Sequence, residues 1–440
     1  MSLRKCFPVV LAMGCLVLSS AAIAQDGPIL IDGVFGRGGE SRISIAVPPL
    51  LAATPALSAV AAEMTQVLEY DLDFSGEFMV LPKTAYPPTF TGFPADANLI
   101  NLAEWTATNV EYIVYGVVSE AGGQFVVQFR LYDMAGSQQL LGRQVTVAKD
   151  RLRTAPHRFS EDVLEQLDGT AGIGTTEIVF SGGKTGSKEI YVADYDGANM
   201  RRVTQHNSIS ILPKFSPDNR KIAYLSYKDR YPFLYIFDRN SGQSRRLSAE
   251  VGLNLAPSWG PDGSWLALTL SKDGNTEIYR KSADGTGAKR ITNNRHGDTS
   301  PVVSPDGGRI AYVSDRGNPQ IYVMGVDGAG SNRVSMQGGN SYDPAWSADG
   351  TMLAYAVERK GEGVQIYVMN ADGSGAQRVT SSPGNKEQPS WSADGRHVIF
   401  MSKRGGNQLW SVTLSTLEER PVPRINMTCE GPFWGKVRMR

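Results

Sequence analysis

The stretch Pro301-Val302-Val303-Ser304-Pro305-Asp306-Gly307, followed by Ile310-Ala311-Tyr312-Val313-Ser314, decides the fold because it recurs. Its first half returns as Pro213…Ser216-Pro217-Asp218, Pro257…Trp259-Gly260-Pro261-Asp262-Gly263, Pro344…Trp346-Ser347-Ala348-Asp349-Gly350 and Pro389…Trp391-Ser392-Ala393-Asp394-Gly395. A truncated sixth copy, Pro432-Phe433-Trp434-Gly435, lies near the C-terminus, and the leading prolines stand 43 to 45 positions apart. A period of about 40–45 residues holding four short strands is the signature of a β-propeller.

Working outward, a second strand of each unit reads Glu177 to Ser181, Ile222 to Ser226, Leu266 to Leu268, Ile310 to Ser314, Leu353 to Tyr355 and Val398 to Ser402. A third follows at Ile190-Tyr191-Val192, Leu234-Tyr235-Ile236, Ile278-Tyr279, Ile321-Tyr322-Val323, Ile366-Tyr367-Val368 and Leu409-Trp410. The fourth is Arg202-Val203-Thr204 and its counterparts as far as Arg378-Val379-Thr380, with a weaker Arg420-Pro421-Val422 at the end. The first unit lacks a proline-led strand and the C-terminus has one to spare. The reading is a six-bladed propeller over residues 173–440, with Pro432-Phe433-Trp434 filling the innermost slot of the first blade, so that no edge is left open. Trp259, Trp346, Trp391 and Trp434 recur at one position, which indicates packing rather than base stacking.

The preceding residues lack this period. Ile43 to Val47 reads as a strand, Leu57 to Leu72 as a helix with apolar residues at helical spacing, Phe78 to Leu81 as a strand and Leu99 to Asn109 as a second helix. Three strands follow at Tyr112 to Val118, Phe125 to Tyr132 and Leu140 to Val147, with turns at Gly122-Gly123 and Ala135-Gly136-Ser137, then a short helix from Phe159 to Leu167 with Ser160 near its start. This is a small α+β domain over 41–172. The chain as a whole is mainly β.

Arg4 and Lys5, the apolar run from Val9 to Leu18, and Ala22-Ile23-Ala24 have the form of a signal peptide, residues 1–24, cleaved after Ala24. The run is shorter than the roughly 18–20 residues of a membrane span, and lipid attachment at Cys15 fits less well because Ala12 stands where leucine is expected. Without residues 1–24 the chain keeps 42 basic and 44 acidic residues, a balance that gives no electrostatic ground for nucleic acid. It also keeps one cysteine, Cys429, so an internal disulfide is excluded and a small apolar role in the closing strand is expected. Residues 25–40 carry Gly33, Gly36, Gly38 and Gly39 and read as a flexible arm.

Enzyme signatures are missing. There is no Gly-x-Ser-x-Gly elbow and no His-Glu-x-x-His, and the four histidines are not at zinc-ligand spacing. Asp284-Gly285, Asp327-Gly328 and Asp372-Gly373 read as tight turns, since the terminal glutamate of a calcium loop is absent. The glycines from Gly33 to Gly39 do not join a strand to a helix, as a nucleotide loop must. No catalytic residue, cofactor or metal is expected. A rigid disk carries function on the loops of one rim. The loops entering each innermost strand ring the channel mouth, and they nominate His206, Ser210, Leu253, Asn254, His296, Asp298, Thr299, Tyr342, Asp343, Glu387, Gln388 and Glu430 as partner contacts. On the arm, the apolar Ile29, Leu30, Ile31, Val34 and Phe35 suit strand addition to a partner's sheet.

The leader, the Ile29-Leu30-Ile31-Asp32 arm, the α+β domain ending in Gly169-Thr170-Ala171-Gly172 and the six Ser-Pro-Asp-Gly/Ile-Tyr-Val/Arg-Val-Thr repeats together resemble the TolB family. Asn219, Gly260, Ala348 and Ala393 depart from the repeat motif only within its turn. The resemblance implies a non-enzymatic periplasmic bridge of the Tol–Pal system of Gram-negative bacteria. Its mouth would receive the lipoprotein Pal and, in some cases, other outer-membrane proteins or toxins. Its arm would contact TolA, and the system would support outer-membrane constriction at division and envelope integrity. The other reading is a propeller that binds a small ligand or peptide, or serves as accessory subunit of a peptidase.

Overall fold

A computed structural model describes residues 42–94, 96–184 and 186–436. The expected leader and the arm with Ile29, Leu30, Ile31, Val34 and Phe35 lie outside the described residues.

The first sheet contains β1 (Ile43–Ala46), β2 (Leu51–Ala52), β3 (Phe78–Val80), β4 (Tyr112–Ala121), β5 (Gln124–Asp133) and β6 (Gln138–Val147). Its order is β3-β1-β4-β5-β6, with β2 beside β4; β4, β5 and β6 form an antiparallel meander, and β1 runs parallel to β3 and β4. Helices α1 (Ser58–Phe74) and α2 (Thr154–Asp168) cover one face. Met64, Leu68 and Leu72 of α1 meet Phe159 and Val163 of α2 over Val114, Val127 and Phe129. The other face is closed by residues 83–94 and 96–110, where Trp105 is fully buried against Tyr86, Phe90 and Phe93.

Two helices differ from the sequence reading. The stretch expected as an α-helix from Leu99 to Asn109 forms two 3-10 turns, Ala97–Leu99 and Leu102–Thr108. The Thr106 and Thr108 hydroxyls donate to carbonyls three residues back, and Asn109 ends the segment in the left-handed region at φ 54°. α2 begins at Thr154 rather than Phe159. Pro156 sits in its first turn, where the amide it lacks would have no intrahelical partner. Ser160 is therefore a mid-helix residue rather than one near the helix start.

Six four-stranded antiparallel sheets follow. Blades 2 to 6 have innermost strands Ser210–Phe215, Asn254–Trp259, Asp298–Val303, Asn340–Trp346 and Lys386–Trp391. In blade 1 the innermost strand is Cys429–Trp434, paired antiparallel to Glu177–Lys184, so the C-terminal strand closes the ring. Cys429 is buried in it, and burial raises its thiol to about 12, out of the reactive range. The tryptophans staple blades together: the indole N–H groups of Trp346 and Trp391 each donate at 3.0 Å to a carbonyl of the preceding innermost strand, and that of Trp259 does so at 3.2 Å. At the expected tight turns Asp284, Asp327 and Asp372 each accept the amide two residues on.

The recurring prolines now have a structural cause. Every innermost strand is bulged, with the ladder broken between Ile211 and Lys214, Leu255 and Ser258, Thr299 and Val302, Tyr342 and Ala345, Glu387 and Ser390, and Glu430 and Phe433. The proline lies within the gap, where its missing N–H costs no ladder bond. The residue before it is left-handed in all six blades: Leu212, Ala256, Ser300, Asp343, Gln388 and Gly431, at φ 50–61°. Only Gly431 takes this conformation without steric cost.

Candidate functional site

Each innermost strand begins on one face of the disk and ends on the other. Ser210 pairs with Ser226, Ser226 with Phe233, and Leu234 with Ser248, which puts the loops 227–232 and 249–253 on the face where Ser210 starts. We call this the mouth face. The α+β domain sits on the opposite face, where the innermost strands end. There Phe74 stacks on His397 at 4.4 Å, and Asp168 and Asp73 pair with Arg396 and Arg420. The mouth face is thus unobstructed by the α+β domain.

Between the faces runs a channel of about 440 Å³ lined by the bulged strands. Thr299, Asp343 and Gln388, nominated from sequence, line it, as does Lys214, which was not. The bulge residues are linked around the wall: the Gln388 amide donates to Asp343 Oδ2 at 3.1 Å, and the Gly431 amide donates to Gln388 Oε1 at 2.7 Å. Burial in the wall raises the Asp343 carboxyl, and burial lowers the Lys214 ammonium to about 8 although Asp343 opposes that shift. Lys214 Nζ also lies 4.7 Å from the centre of the Phe433 ring.

The other nominated residues divide by burial. Ser210, Asn254 and Asp298 are fully buried. Ser210 Oγ bonds Ser226 Oγ at 3.0 Å. Asn254 accepts from the Ser248 hydroxyl and the Glu250 amide. Asp298 accepts from Ser314 at 2.6 Å and Asn294 at 2.8 Å. These three shape the rim from inside, since the first position of the strand points into the blade, and charge reversal at Asp298 would disturb the fold before it reported on binding. Glu387 and Glu430 pair with Lys403 at 2.7 Å and Lys188 at 2.6 Å. Tyr342 donates to Glu358. His206 stacks on Tyr224, and His296 stands 3.8 Å from Asp315. Leu253 is exposed, and it is joined on this face by Tyr227, Tyr231, Val251 and Met336. The sequence reading missed Tyr227 and Tyr231 because it took no account of the loop from second to third strand, whereas Val251 and Met336 lie in loops entering an innermost strand, which it considered without naming them.

Titratable chemistry concentrates at the domain interface instead. Asp71, on α1, accepts from His157 Nδ1 at 2.8 Å, Ser160 Oγ at 2.7 Å and Tyr195 OH. His157, Asp194 and Asp196 lie within 4.8 Å of one another, a spacing open to a metal ion. Asp196, however, is already paired with Arg153 and Arg424, which supply its countercharge. His397 is fully buried nearby, and burial lowers it to about 4. An unfolded chain takes up that proton near pH 6.5, so His397 contributes stability that is present above pH 6.5 and lost as pH falls through 4. The loss is on the order of 3 kcal/mol. Denaturant unfolding at pH 7 and pH 4 should show His397→Gln losing less than the parent over this interval; equal losses would contradict the assignment.

Comparison with known proteins follows the same division. A family model described as the TolB beta propeller domain matches residues 164–437, and one described as the TolB amino-terminal domain matches residues 35–140. A Tol-Pal system protein TolB of Ruegeria sp. (strain TM1040) is 34% identical over 232 residues, 51% of each chain. One of Syntrophotalea carbinolica is 34% identical over 216 residues, 49% of each. The chain spans about half the length of the curated relatives it matches. The crystal structure of TolB from Acinetobacter baumannii superimposes with a TM-score of 0.79 at 27% identity, covering 90% of this chain and 97% of that one.

Proposed function

Since this chain belongs to the TolB family, we propose that it is a non-enzymatic periplasmic scaffold of the Tol–Pal system. Its mouth face receives the lipoprotein Pal, and its N-terminal arm contacts TolA in the inner membrane. It thereby serves envelope integrity and outer-membrane constriction at division. Residues 1–24 are a leader cleaved after Ala24, residues 25–40 the arm, and 41–172 and 173–440 the two domains.

One observation carries the reading of the mouth. Of the nine large apolar side chains exposed among the described residues, five stand on the mouth face: Tyr227, Tyr231, Val251, Leu253 and Met336. Tyr231 is 66% exposed and Val251 85%. Large apolar side chains left exposed together on one face mark a protein-docking site, and aromatic anchors dominate the energy of such sites. The rigid blades hold these anchors in place, which lowers the entropic cost of docking.

Two variants of the full chain test the two contacts separately. Tyr231→Ser combined with Leu253→Ser should weaken Pal binding about tenfold or more in calorimetry, with an unchanged circular dichroism spectrum. Deleting Gln25 to Gly36 should abolish TolA binding and leave Pal binding intact. Wild-type Pal affinity in the first variant removes the mouth from the account, and wild-type TolA affinity in the second removes the arm.

A further inference from the structure

We propose that the mouth face is built to take an acidic protein surface, through a ring of cations each clamped on an aromatic side chain of its own blade. The proposal rests on the reading of the mouth as a protein-docking face and names the chemistry of what docks there.

The ring runs through blades 2 to 6. Lys228 lies over Tyr235 at 4.1 Å from the ring centre, Lys272 over Tyr279 at 5.5 Å, Arg316 over Tyr322 at 4.6 Å, Arg359 over Tyr367 at 5.2 Å and Arg404 over Trp410 at 5.5 Å. Every cation lies in the loop between second and third strands or at its edge, and every aromatic lies in the third strand. The cation precedes its aromatic by six to eight residues. Those loops open on the mouth face, and the phenol groups of Tyr235 and Tyr279 point toward it, donating to Asp229 and Asp273 of the same loops at 2.6 Å. Because the arrangement repeats in five consecutive blades, it places a positive group at one radius all around that part of the mouth.

Some neighbouring cations are taken up in ion pairs, and these five are not. Lys403 is held by Glu387 at 2.7 Å and Arg378 by Glu362 at 3.2 Å. Among the described residues, none of the five ring cations forms an ion pair, and all five are exposed or half-exposed. A cation over an aromatic face loses part of its hydration, while its long side chain is already ordered. Both effects reduce what it costs to meet a carboxylate, and a guanidinium offers that carboxylate two parallel bonds. The cations share the face with the apolar Tyr231 and Leu253 and surround a recessed channel. A mixed apolar and cationic annulus of fixed geometry fits the convex, acidic face of a folded protein better than a plane of mobile lipid headgroups.

The test uses the full chain and the soluble domain of Pal. Calorimetry at about 50 and 300 mM NaCl compares the parent with a variant carrying Lys228→Ala, Lys272→Ala, Arg316→Ala and Arg404→Ala, after its melting temperature is shown to match. The parent should weaken about tenfold across this salt range. The variant should bind about 30-fold more weakly than the parent at low salt and respond little to salt. Parent-like affinity in the variant, or salt-independent binding by the parent, overturns the ring; loss of binding in Tyr231→Ser/Leu253→Ser alone would then show that the mouth stands without it. Failure of the parent to bind Pal at all overturns both. Binding to phosphatidylglycerol vesicles that disappears in the four-site variant while Pal binding persists overturns the proposal in favour of a lipid surface.

Discussion

Trp434→Ala loosens the seam between the first and last blades and lowers stability by about 3–5 kcal/mol. The indole is 1% exposed and donates to Thr176 Oγ1 at 2.8 Å, while the Trp434 amide donates to Ser390 Oγ of blade 6 at 3.0 Å. Its apolar surroundings draw on three parts of the chain: Phe74 of α1, Ile178 and Tyr195 of blade 1, and Ile399 of blade 6. Truncation removes a large volume where these parts meet and leaves the Thr176 hydroxyl without its donor. Trp259→Ala is the useful companion, because that indole is also buried but joins blade 2 to blade 3, away from the closure. Both variants should show lower denaturant midpoints, and only Trp434→Ala should open the C-terminal strand to limited proteolysis. A parent-like midpoint for Trp434→Ala would contradict the closure.

Asp71→Ala should cost a comparable amount, about 3–5 kcal/mol, through electrostatics rather than volume. Asp71 is buried and accepts bonds from His157 and Ser160 of its own domain and from Tyr195 of blade 1. Deleting the carboxylate strands these donors in a site that water does not reach. Burial alone would lower the His157 imidazole, but Asp71 outweighs burial and the net shift is upward. His157 therefore contributes stability that is complete below its unfolded value near 6.5 and is lost as pH rises through the raised folded value. Asp71→Asn keeps the shape and removes the charge, so it should flatten that alkaline loss. Unfolding measured from pH 6 to pH 9 decides the matter: a variant with the parent's slope would show that the pair carries no linkage.

The same interface marks the limit of what the sequence discloses. Repetition made the ring legible, because a proline-led strand at each period and a spare copy at the C-terminus leave one way to close six blades. Periodicity also located α1, but not its second face. Tyr70, Asp71 and Phe74 pack on the propeller while Met64, Leu68 and Leu72 pack on the sheet, and a single apolar stripe cannot say which is which. The left-handed bulges were hidden for another reason. Leu212 and Ala256 carry no local preference for positive φ, and the ring imposes it on them. The candidate site was legible as a rim and not as a set of contacts. Ser210, Asn254 and Asp298 lie at the right rim, yet their side chains turn inward, and no one-dimensional pattern distinguishes the first residue of a bulged strand from the residue before it. The cation ring went unseen because each cation is separated from its aromatic by a loop of variable length.

Amide hydrogen exchange of the full chain with and without Pal tests most directly whether the mouth face is the docking surface. Protection should appear in the loops 227–232, 249–253 and 336–340. It should be absent from the loops 195–200 and 414–417 on the opposite face. Protection confined to that opposite face, with the mouth loops exchanging as in the free protein, would contradict it.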